Sequence, residues 1–538
     1  MKKSLFFLVI CSLILSSCSP TQSDTMVEKE WWKRSVFYEI FVRSFYDSNG
    51  DGIGDFNGLT EKLDYINDGK TDTKTDLGVN AIWLMPIFPT TSYHGYDVTD
   101  YYNVNPEFGT LDDFKKLISE AHKRKIRVII DLVINHTSNE HPWFLESQKK
   151  DSKYRDWYIW SEKDPGYIGP WGEKVWHQGG YGGFYYGVFT YSMPDLNLKN
   201  PAVNEEIKKI VSFWLVDIGV DGFRLDGVRH YIEDGKIQVN TKETHQWVAD
   251  FTAYVKSIKP NAVLVGEIWD GSEQVAAYLN KNELDMAFDF DLAESWVGSI
   301  SSGDGRGIAF TQKYDNDLFK NANYATFLTN HDMNRAMSQF AGDIKKARIA
   351  STLLLTSPGT PFIYYGEEIG MKGEKPDENI RLPMPWNSEK NAGFTTGIPW
   401  RPGNVDTGGI NVAAQDADPA SMLSIYRDLI RLRMSSPALS DGKFFSINTD
   451  SSNVIAYLRI ATDDAYLVIA NLDIKAIGNY RLSAESIPLK GSFKLIGVLG
   501  AKDGNFLDIS EDGKFKDFQP YSELSPMSVS IFKLDQQN

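Results

Sequence analysis

The stretch TLDDFKKLISEAHKRKIRVIIDLVINH, residues 110–136, combines one amphipathic helix with one buried strand. Thr110 and Asp113 have the spacing of a capping box, which marks the start of a helix. The apolar positions that follow fall on one helical face: Leu111, Phe114, Leu117, Ile118 and Ala121. The run RVIIDLV is apolar on both faces, as a strand buried in a parallel sheet is. The stretch therefore predicts one helix–strand unit of an α/β protein.

The same alternation of apolar runs and amphipathic helices continues along the chain. The predicted strands are 36–41, 81–87, 127–133, 222–226, 263–268, 286–291, 324–330 and 361–366. Eight strands that alternate with helices predict a (β/α)8 TIM barrel of the α/β class. A chain of 538 residues exceeds one ordinary core, so the barrel is expected to carry additional domains.

Two stretches break the barrel pattern. About sixty residues rich in aromatic side chains and glycine follow the third strand, too many for a plain loop, and predict a small inserted domain at about 138–196. After the barrel, assigned to residues 34–440, β-like runs such as NVIAYLRI and DAYLVIANL replace the helices. They predict a C-terminal antiparallel β-sandwich domain over 441–538.

The N-terminus is typical of an export signal. Lys2 and Lys3 precede an apolar run over 5–15, and Leu15-Ser16-Ser17-Cys18 resembles the lipobox of bacterial lipoproteins. The resemblance implies a signal peptide over 1–17, lipidation of Cys18, and a polar tether over 18–33. The alternative is an ordinary secreted protein in which this cysteine occurs by chance.

Lipidation would place the protein at a membrane of the bacterial envelope, with the outer membrane favoured and the exposed face left open. The membrane partner would then be held through the lipid anchor only, and other proteins of a starch-uptake system are candidate partners. A net charge of −16 argues against nucleic acid or an anionic lipid surface as a binding partner. With two cysteines, one of them inside the signal, no disulfide is expected.

Polar residues cluster where the predicted strands end. They are Asn135 and His136 after the third strand, Arg224 and Asp226 on the fourth, Glu267 on the fifth, and Asn330, His331 and Asp332 on the seventh. Barrel enzymes build their active sites at this end of the strands, so three carboxylates are expected at one mouth.

The spacing of these carboxylates suggests a reaction. Arg224 and Asp226 are two residues apart on one strand and point to the same side, so the guanidinium is expected to keep Asp226 ionised as a nucleophile. Glu267 on the neighbouring strand suits the complementary acid with a raised pKa. Two carboxyl groups about 5 Å apart imply glycoside cleavage with retention of configuration.

Four motifs carry a family resemblance: DLVINH, GFRLDGVRH, VGEIWD and FLTNHD, at residues 131–136, 222–230, 265–270 and 327–332. They resemble the signature regions of glycoside hydrolase family 13, the α-amylase family, over about residues 35–430. The resemblance implies Asp226 as nucleophile, Glu267 as general acid and base, and Asp332 as the carboxylate that binds sugar hydroxyls. It also implies substrate-binding roles for Tyr96, His136, Arg224, Arg229, His230, His331, Asp377 and Arg381.

The stretch DSNGDGIGD, residues 47–55, alternates oxygen-bearing side chains with glycines. An EF-hand needs a bidentate Glu at its twelfth position, which is Gly58 here, so that class is excluded. The stretch resembles a cation-binding loop of the same family, which implies a structural Ca²⁺ with ligands Asp47, Asn49, Asp51, Ile53 (carbonyl) and Asp55. The alternative is a glycine-rich turn without metal.

A second calcium site is implied by the same resemblance. Its ligands would be Asn135, Asp195 and the carbonyl of His230, although Asn135 also suits an ordinary hydrogen bond at a strand end.

The substrate is expected to be an α-1,4-glucan. Met193 begins MPDLNL, which resembles the neopullulanase-like and intermediate α-amylases, and the barrel follows the tether without the extra N-terminal β domain of neopullulanases. These features favour an endo-acting α-amylase on starch, glycogen or maltodextrins. The alternatives are an exo-α-glucosidase, an enzyme like neopullulanase or oligo-1,6-glucosidase, and, remotely, a non-catalytic glucan-binding lipoprotein. In the insert, Trp171, Trp176, Tyr185 and Tyr186 either line the cleft or form the core.

Overall fold

The computed structural model describes residues 29–281, 283–320, 322–403 and 408–537. The predicted signal peptide, Cys18 and the tether up to residue 28 lie outside them. The end of that tether belongs to the fold, because Trp31–Arg34 form a 3-10 helix in which Trp32 is buried. Across the described ranges, no helix combines the length and apolar character needed to cross a membrane.

The central sheet contains eight parallel strands interrupted once by a small insert. In chain order the strands are β1 Phe37–Ile40, β2 Ala81–Leu84, β3 Arg127–Leu132, the insert strands β4 Trp160–Ser161, β5 Trp176–Gln178 and β6 Phe184–Tyr186, then β7 Gly222–Leu225, β8 Val263–Gly266, β9 Met286–Ala287, β10 Ala325–Thr326 and β11 Thr360–Tyr364. The strand order is β10-β11-β1-β2-β3-β7-β8-β9. A parallel bridge between Phe288 and Ala325 joins the two ends. The predicted (β/α)8 barrel is confirmed.

Helices follow the barrel strands and cover the outside of the sheet. The longer ones are Leu111–Lys123, Pro201–Ser212, Lys242–Ile258, Ser272–Leu279, Phe290–Ser302, Arg306–Phe319, Ile344–Thr356 and Met422–Ser435. The shorter ones are Val42–Phe45, Phe56–Glu61, Leu63–Ile66, Pro142–Ser147, Ala336–Gln339, Asp377–Ile380, Val412–Asp416 and Pro437–Asp441. The capping box that begins Leu111–Lys123 is present, with Thr110 and Asp113 each accepting the backbone N–H of the other.

Several strands are shorter than the apolar runs that predict them. The run 286–291 is divided, since β9 ends at Ala287 and a helix begins at Phe290. The cause is Asp289, whose side chain accepts the Leu292 N–H and caps the helix. Helix Pro201–Ser212 continues into a π-helical turn over Phe213–Ile218, which ends at Gly219 with φ 94°.

The insert after β3 is a three-stranded antiparallel sheet in the order β4-β6-β5. Trp176 and Tyr186 are buried in its own apolar cluster. Tyr185 is buried as well and packs 4.9 Å from the ring of Phe144. These three aromatic residues are therefore core, whereas Trp171 remains half-exposed.

The C-terminal domain is an eight-stranded antiparallel sheet. Its strands are β12 Lys443–Thr449, β13 Val454–Ile460, β14 Ala465–Asn471, β15 Leu482–Ala484, β16 Gly491–Val498, β17 Leu507–Ile509, β18 Phe515–Phe518 and β19 Ser528–Gln536. The strand order is β17-β16-β19-β14-β13-β12-β15-β18, and the two end strands, β17 and β18, lie against each other. The sheet thus encloses a core of its own, which includes Leu467 and Phe532. The predicted antiparallel β domain is confirmed.

Candidate active site

A cleft of about 470 Å³ opens at the carboxyl ends of the barrel strands. The predicted site residues that line it are Tyr96, His136, Asp226, Arg229, His230, Glu267, Asp332, Asp377 and Arg381. Arg224 and His331 lie beneath its floor, at 1% and 0% exposure. The structure therefore brings every predicted catalytic and substrate-binding residue to one site.

Arg224 is the centre of the charge network under the cleft. One of its terminal nitrogens lies 2.9 Å from Asp131 and 2.6 Å from Asp226, and the other lies 3.0 Å from Glu267. The backbone N–H of Gly227 also donates to Glu267, at 2.9 Å. The two predicted reacting carboxylates are thus held side by side by one guanidinium.

The pKa values in this network depend on burial as well as on Arg224. Burial raises the pKa of Asp226 above its ordinary value, although the Arg224 guanidinium opposes the shift. Burial also raises the pKa of Glu267, and it raises that of Asp131 to about 7. Burial thus opposes the effect of Arg224 on Asp226, and the ionised nucleophile stays a prediction.

Asp332 has the opposite electrostatic environment. Burial acts against its ionisation, but the His331 imidazole and the Arg381 guanidinium hold the pKa of Asp332 well below its usual range. Its two oxygens lie 3.1 Å from His331 Nε2 and 2.8 Å from Arg381. Asp332 is therefore an ionised carboxylate that faces the cleft beside a carboxyl pair of raised pKa.

His136 and His230, two of the three histidines that line the cleft, are neutral. Burial lowers the pKa of His136 to about 4, and its Nε2 lies 3.0 Å from the Tyr96 carbonyl oxygen. Burial, with the positive charge of Arg229 next to it, lowers the pKa of His230 to about 3. Arg229 Nε donates to His230 Nε2 at 3.0 Å. Both imidazoles thus offer neutral hydrogen-bonding groups at the cleft wall.

Arg381 and Asp377 lie together at the far side of the cleft. Arg381 contacts Asp377 at 3.3 Å and also donates to the His331 carbonyl oxygen at 2.9 Å. Lys375 lies 3.0 Å from Asp377. Arg381 therefore links the predicted substrate-binding acid Asp377 to the carboxylate of Asp332.

Exposed aromatic rings flank the cleft. Trp171, at 51% exposure, packs 5.1 Å from the ring of His230. Trp269, at 40% exposure, stacks on Phe290 with ring centroids 4.6 Å apart. Flat, accessible indole faces at a cleft suit stacking on sugar rings.

Sequence reasoning missed three polar residues of the site. Asp131 binds Arg224 and accepts a hydrogen bond from the Tyr96 hydroxyl at 3.1 Å. Glu39 of β1 lies 2.6 Å from His331 Nδ1. His94 lines the cleft next to Tyr96. For Glu39 and Asp131, a carboxylate inside an otherwise apolar strand run was the available signal.

The loop over 47–55 has the oxygen donors that Ca²⁺ prefers, but the protein itself already engages several of them. Asp47, Asn49 and Asp51 accept backbone N–H groups of the loop at 2.7–3.0 Å. Both oxygens of Asp55 accept hydrogen bonds from Ser48 or Gly58. In the described part of the chain, no three or more Asp, Glu, His or Cys side chains converge to hold a metal. Calcium in this loop stays a prediction.

The second predicted calcium site offers a better fit. Within the described ranges, the buried Asn135 Oδ1 has no hydrogen-bond partner. Burial holds the pKa of Asp195 well above its usual range, and the neighbouring Glu233 adds to the shift. The Leu196 N–H donates to the Asn135 carbonyl oxygen at 2.8 Å, so both side chains lie where the insert rejoins the barrel. A hard cation would satisfy the orphaned oxygen and stabilise the buried carboxylate.

A parallel barrel with paired carboxylates in a cleft at its strand ends defines the chain as a glycoside hydrolase. Residues 39–442 match the family described as alpha amylase, catalytic domain. The chain therefore belongs to the α-amylase family, glycoside hydrolase family 13, and is an enzyme that acts on glucans.

The similar proteins within the family are named for different activities. The chain is 43% identical over 451 residues to "Alpha-amylase 3" of Dictyoglomus thermophilum, with 82% of this chain and 85% of that protein covered. It is 34% identical over 524 residues to an oligo-1,6-glucosidase of Parageobacillus thermoglucosidasius, with 84% and 92% covered. A solved structure of an alpha-amylase from H. orenii aligns with a TM-score of 0.82 and 41% identity, covering 94% of this chain and 100% of that one.

Proposed function

We propose that this enzyme is a retaining, endo-acting α-1,4-glucan hydrolase that cleaves starch, glycogen or maltodextrins. The observation that carries the proposal is that Asp226 and Glu267 bind the terminal nitrogens of one guanidinium at the floor of the cleft. This arrangement favours the short carboxyl separation, about 5 Å, that a retaining mechanism needs.

The mechanism follows from the protonation states. Glu267, whose pKa is raised, donates its proton to the glycosidic oxygen while the Asp226 carboxylate attacks the anomeric carbon. The bond to the leaving sugar breaks and a β-linked glycosyl-enzyme forms. Glu267, now a base, takes a proton from water, which attacks the anomeric carbon and releases the α-anomer. Asp332, ionised throughout, binds the sugar hydroxyls, and the Tyr96 ring packs against the same sugar.

Two features support internal cleavage of a polymer. Trp171 and Trp269 extend the accessible aromatic surface beyond the carboxylates. Arg229 and His230 line the same wall and suit the sugar on the leaving side. The alternative is an exo-acting α-glucosidase or a hydrolase of α-1,6 bonds, which the relatives named oligo-1,6-glucosidase keep open.

A proton NMR time course on maltoheptaose tests the proposal, using a soluble form that begins at Ser19. We expect short oligosaccharides from internal cuts, with new reducing ends that are α-anomers. Glucose released one unit at a time would support the exo-acting alternative, and cleavage of isomaltose but not maltoheptaose would support the α-1,6 alternative. Products that first appear as β-anomers would contradict the retaining mechanism.

A companion variant separates catalysis from binding. Asp226→Asn is expected to bind maltoheptaose and to lose turnover, because the amide cannot form the glycosyl-enzyme. Equal hydrolysis by the variant and the wild type would refute the assignment of the nucleophile. A wild type that binds glucan without turnover would favour the non-catalytic binding protein.

We further propose that the chain binds structural Ca²⁺ and is lipidated at Cys18. Calcium at Asn135, Asp195 and the His230 carbonyl would tie the insert to the barrel, and calcium at Asp47, Asn49, Asp51, Ile53 and Asp55 would brace the loop after β1. Mass spectrometry of the N-terminal peptide from detergent-extracted bacterial protein tests lipidation. Attached acyl chains on Cys18 are expected, and an unmodified thiol would exclude the anchor.

A further inference from the structure

His331 lies between two carboxylates and a phenol. Its Nδ1 is 2.6 Å from Glu39 Oε1, and its Nε2 is 3.1 Å from Asp332 Oδ2. The same Nε2 is 2.6 Å from the Tyr96 hydroxyl oxygen. The imidazole is fully buried, so water cannot replace any of these partners.

The contacts of the two ring nitrogens favour a doubly protonated imidazole. Each ring nitrogen faces a carboxylate oxygen, which accepts hydrogen bonds and cannot donate them when ionised. A neutral imidazole that donates from Nδ1 to Glu39 could accept the Tyr96 O–H at Nε2, but it would then turn a lone pair rather than a positive charge toward Asp332. With both nitrogens protonated, His331 donates to Glu39 and to the Tyr96 hydroxyl oxygen and forms an ion pair with Asp332, while the Tyr96 hydroxyl donates to Asp131.

We propose that Glu39 is a positioning residue of the glycosidase reaction, which holds His331 doubly protonated and thereby fixes Asp332 against the substrate. Glu39 lies on β1, and its carboxylate touches His331 from the side away from the cleft. The proposal rests on the role assigned to Asp332 in the proposed function. Glu39 acts through His331 and does not itself line the cleft.

The other charged groups around His331 show how much Glu39 contributes to the pKa of the imidazole. Asp332 on its own segment, Asp131 on β3 and Asp226 after β7 all act on the imidazole. Among the residues that face it, Arg224 and Arg381 carry positive charge, and both are bound to carboxylates. Burial acts to lower the pKa of His331, but Asp332 and Glu39 raise it to about 10. Glu39 therefore supplies the second of the two opposing charges that keep the imidazolium stable.

Glu39→Gln tests the proposal because glutamine keeps the shape and can accept the Nδ1–H but lacks the charge. The measurement is kcat/KM on maltoheptaose, expressed as variant over wild type, between about pH 5 and about pH 9. We expect a ratio near one at the acid end and a fall of about 10- to 100-fold at the alkaline end, the scale of one charge-assisted hydrogen bond. A ratio that does not change with pH would overturn the proposal.

A matched control and a direct spectroscopic readout complete the test. Glu368→Gln replaces another fully buried glutamate, which accepts hydrogen bonds from Tyr38 and Tyr65 outside the cleft, and is expected to keep a constant ratio. In wild-type protein with labelled histidine, the His331 imidazole should show two N–H protons near pH 8, and a single N–H there would overturn the proposal even if the variant does not fold.

One further variant, Asp332→Asn, distinguishes a failure of the proposed function from a failure of the role of Glu39. If Asp332→Asn retains wild-type activity, the role of Asp332 in the proposed function fails. If Asp332→Asn is inactive while the Glu39→Gln ratio stays flat, the failure belongs to Glu39 alone.

Discussion

Arg459 of β13 connects the C-terminal domain to the barrel, and its loss should destabilise both. The side chain is 1% exposed and donates to the Thr356 carbonyl oxygen at 2.7 Å and to the Gly442 carbonyl oxygen at 3.0 Å. Thr356 ends a barrel helix, and Gly442 lies where the chain enters the β domain. In Arg459→Met, the aliphatic part of the side chain is retained, but both carbonyl groups lose this donor.

The magnitude follows from these contacts. The Thr356 carbonyl belongs to a buried residue, and leaving it without a donor costs about 1–3 kcal/mol, whereas Gly442 is partly exposed and water can replace its donor. Removal of a buried charge returns part of the desolvation penalty, which leaves a net loss of about 1–2 kcal/mol. Arg306→Met is the control, because its guanidinium is 77% exposed and pairs only with a surface carboxylate, and it should change stability by less than about 0.5 kcal/mol.

Urea unfolding provides the assay. All 14 tryptophans precede residue 401, so tryptophan fluorescence reports the barrel and its insert, while far-UV circular dichroism also reports the β domain. We expect Arg459→Met to lower the midpoint by both probes, since the domains share the Thr356 contact. An unchanged fluorescence midpoint would refute the coupling, and a loss seen only by circular dichroism would confine the effect of Arg459 to the β domain.

Three other perturbations test the site and its surroundings. Burial, reinforced by a neighbouring carboxylate, raises the pKa of Asp315 to about 9, so the contribution of Asp315 to stability is present at acid pH and is lost as pH rises through that value. The Tm of Asp315→Asn should therefore exceed that of the wild type by an amount that grows up to about pH 9. Parallel curves of Tm against pH would contradict this. Trp171→Ala should raise KM for maltoheptaose by about 3- to 10-fold, the scale of one stacking contact. The control is Tyr181→Ala, which should keep the wild-type KM because Tyr181 is 70% exposed and lies away from the cleft. Equal KM values in the wild type and both variants would exclude stacking by Trp171. A chelator should lower Tm, since a ligand at about 100 times its Kd stabilises by about 2.7 kcal/mol; the response should shrink in Asn135→Ala or Asp51→Ala according to which site holds calcium, and an unchanged Tm in the wild type would exclude a structural ion.

Much of the site was predictable because of how a parallel barrel is built. A strand buried on both faces has a continuous apolar run. Polar residues at the carboxyl end of such a strand lie next to the polar residues at the carboxyl ends of the other strands. The positions of Asp226, Glu267 and Asp332 follow from this rule without any knowledge of distances. The amphipathic helix that Thr110 begins was equally readable, because its capping and its apolar period are local.

Other features depend on contacts between distant residues and are absent from local patterns. The sequence left both Trp171 and Trp176 as either cleft or core residues, yet Trp171 lies at the cleft and Trp176 in the core of the insert. The raised pKa of Asp226 depends on its burial and on the charge of Asp332, which is distant in sequence, while Arg224 opposes the shift.

The sequence by itself determined the alternation of strands and helices, and the end of the barrel at which the carboxylates converge. Only the tertiary structure paired Glu39 with His331, 292 residues apart, and decided which charges each buried group meets. The physical reason is that burial and helix capping are encoded within a few residues of chain. Electrostatic partners are set only when the barrel closes and brings β1 close to the segment after β10, with β11 between the two strands.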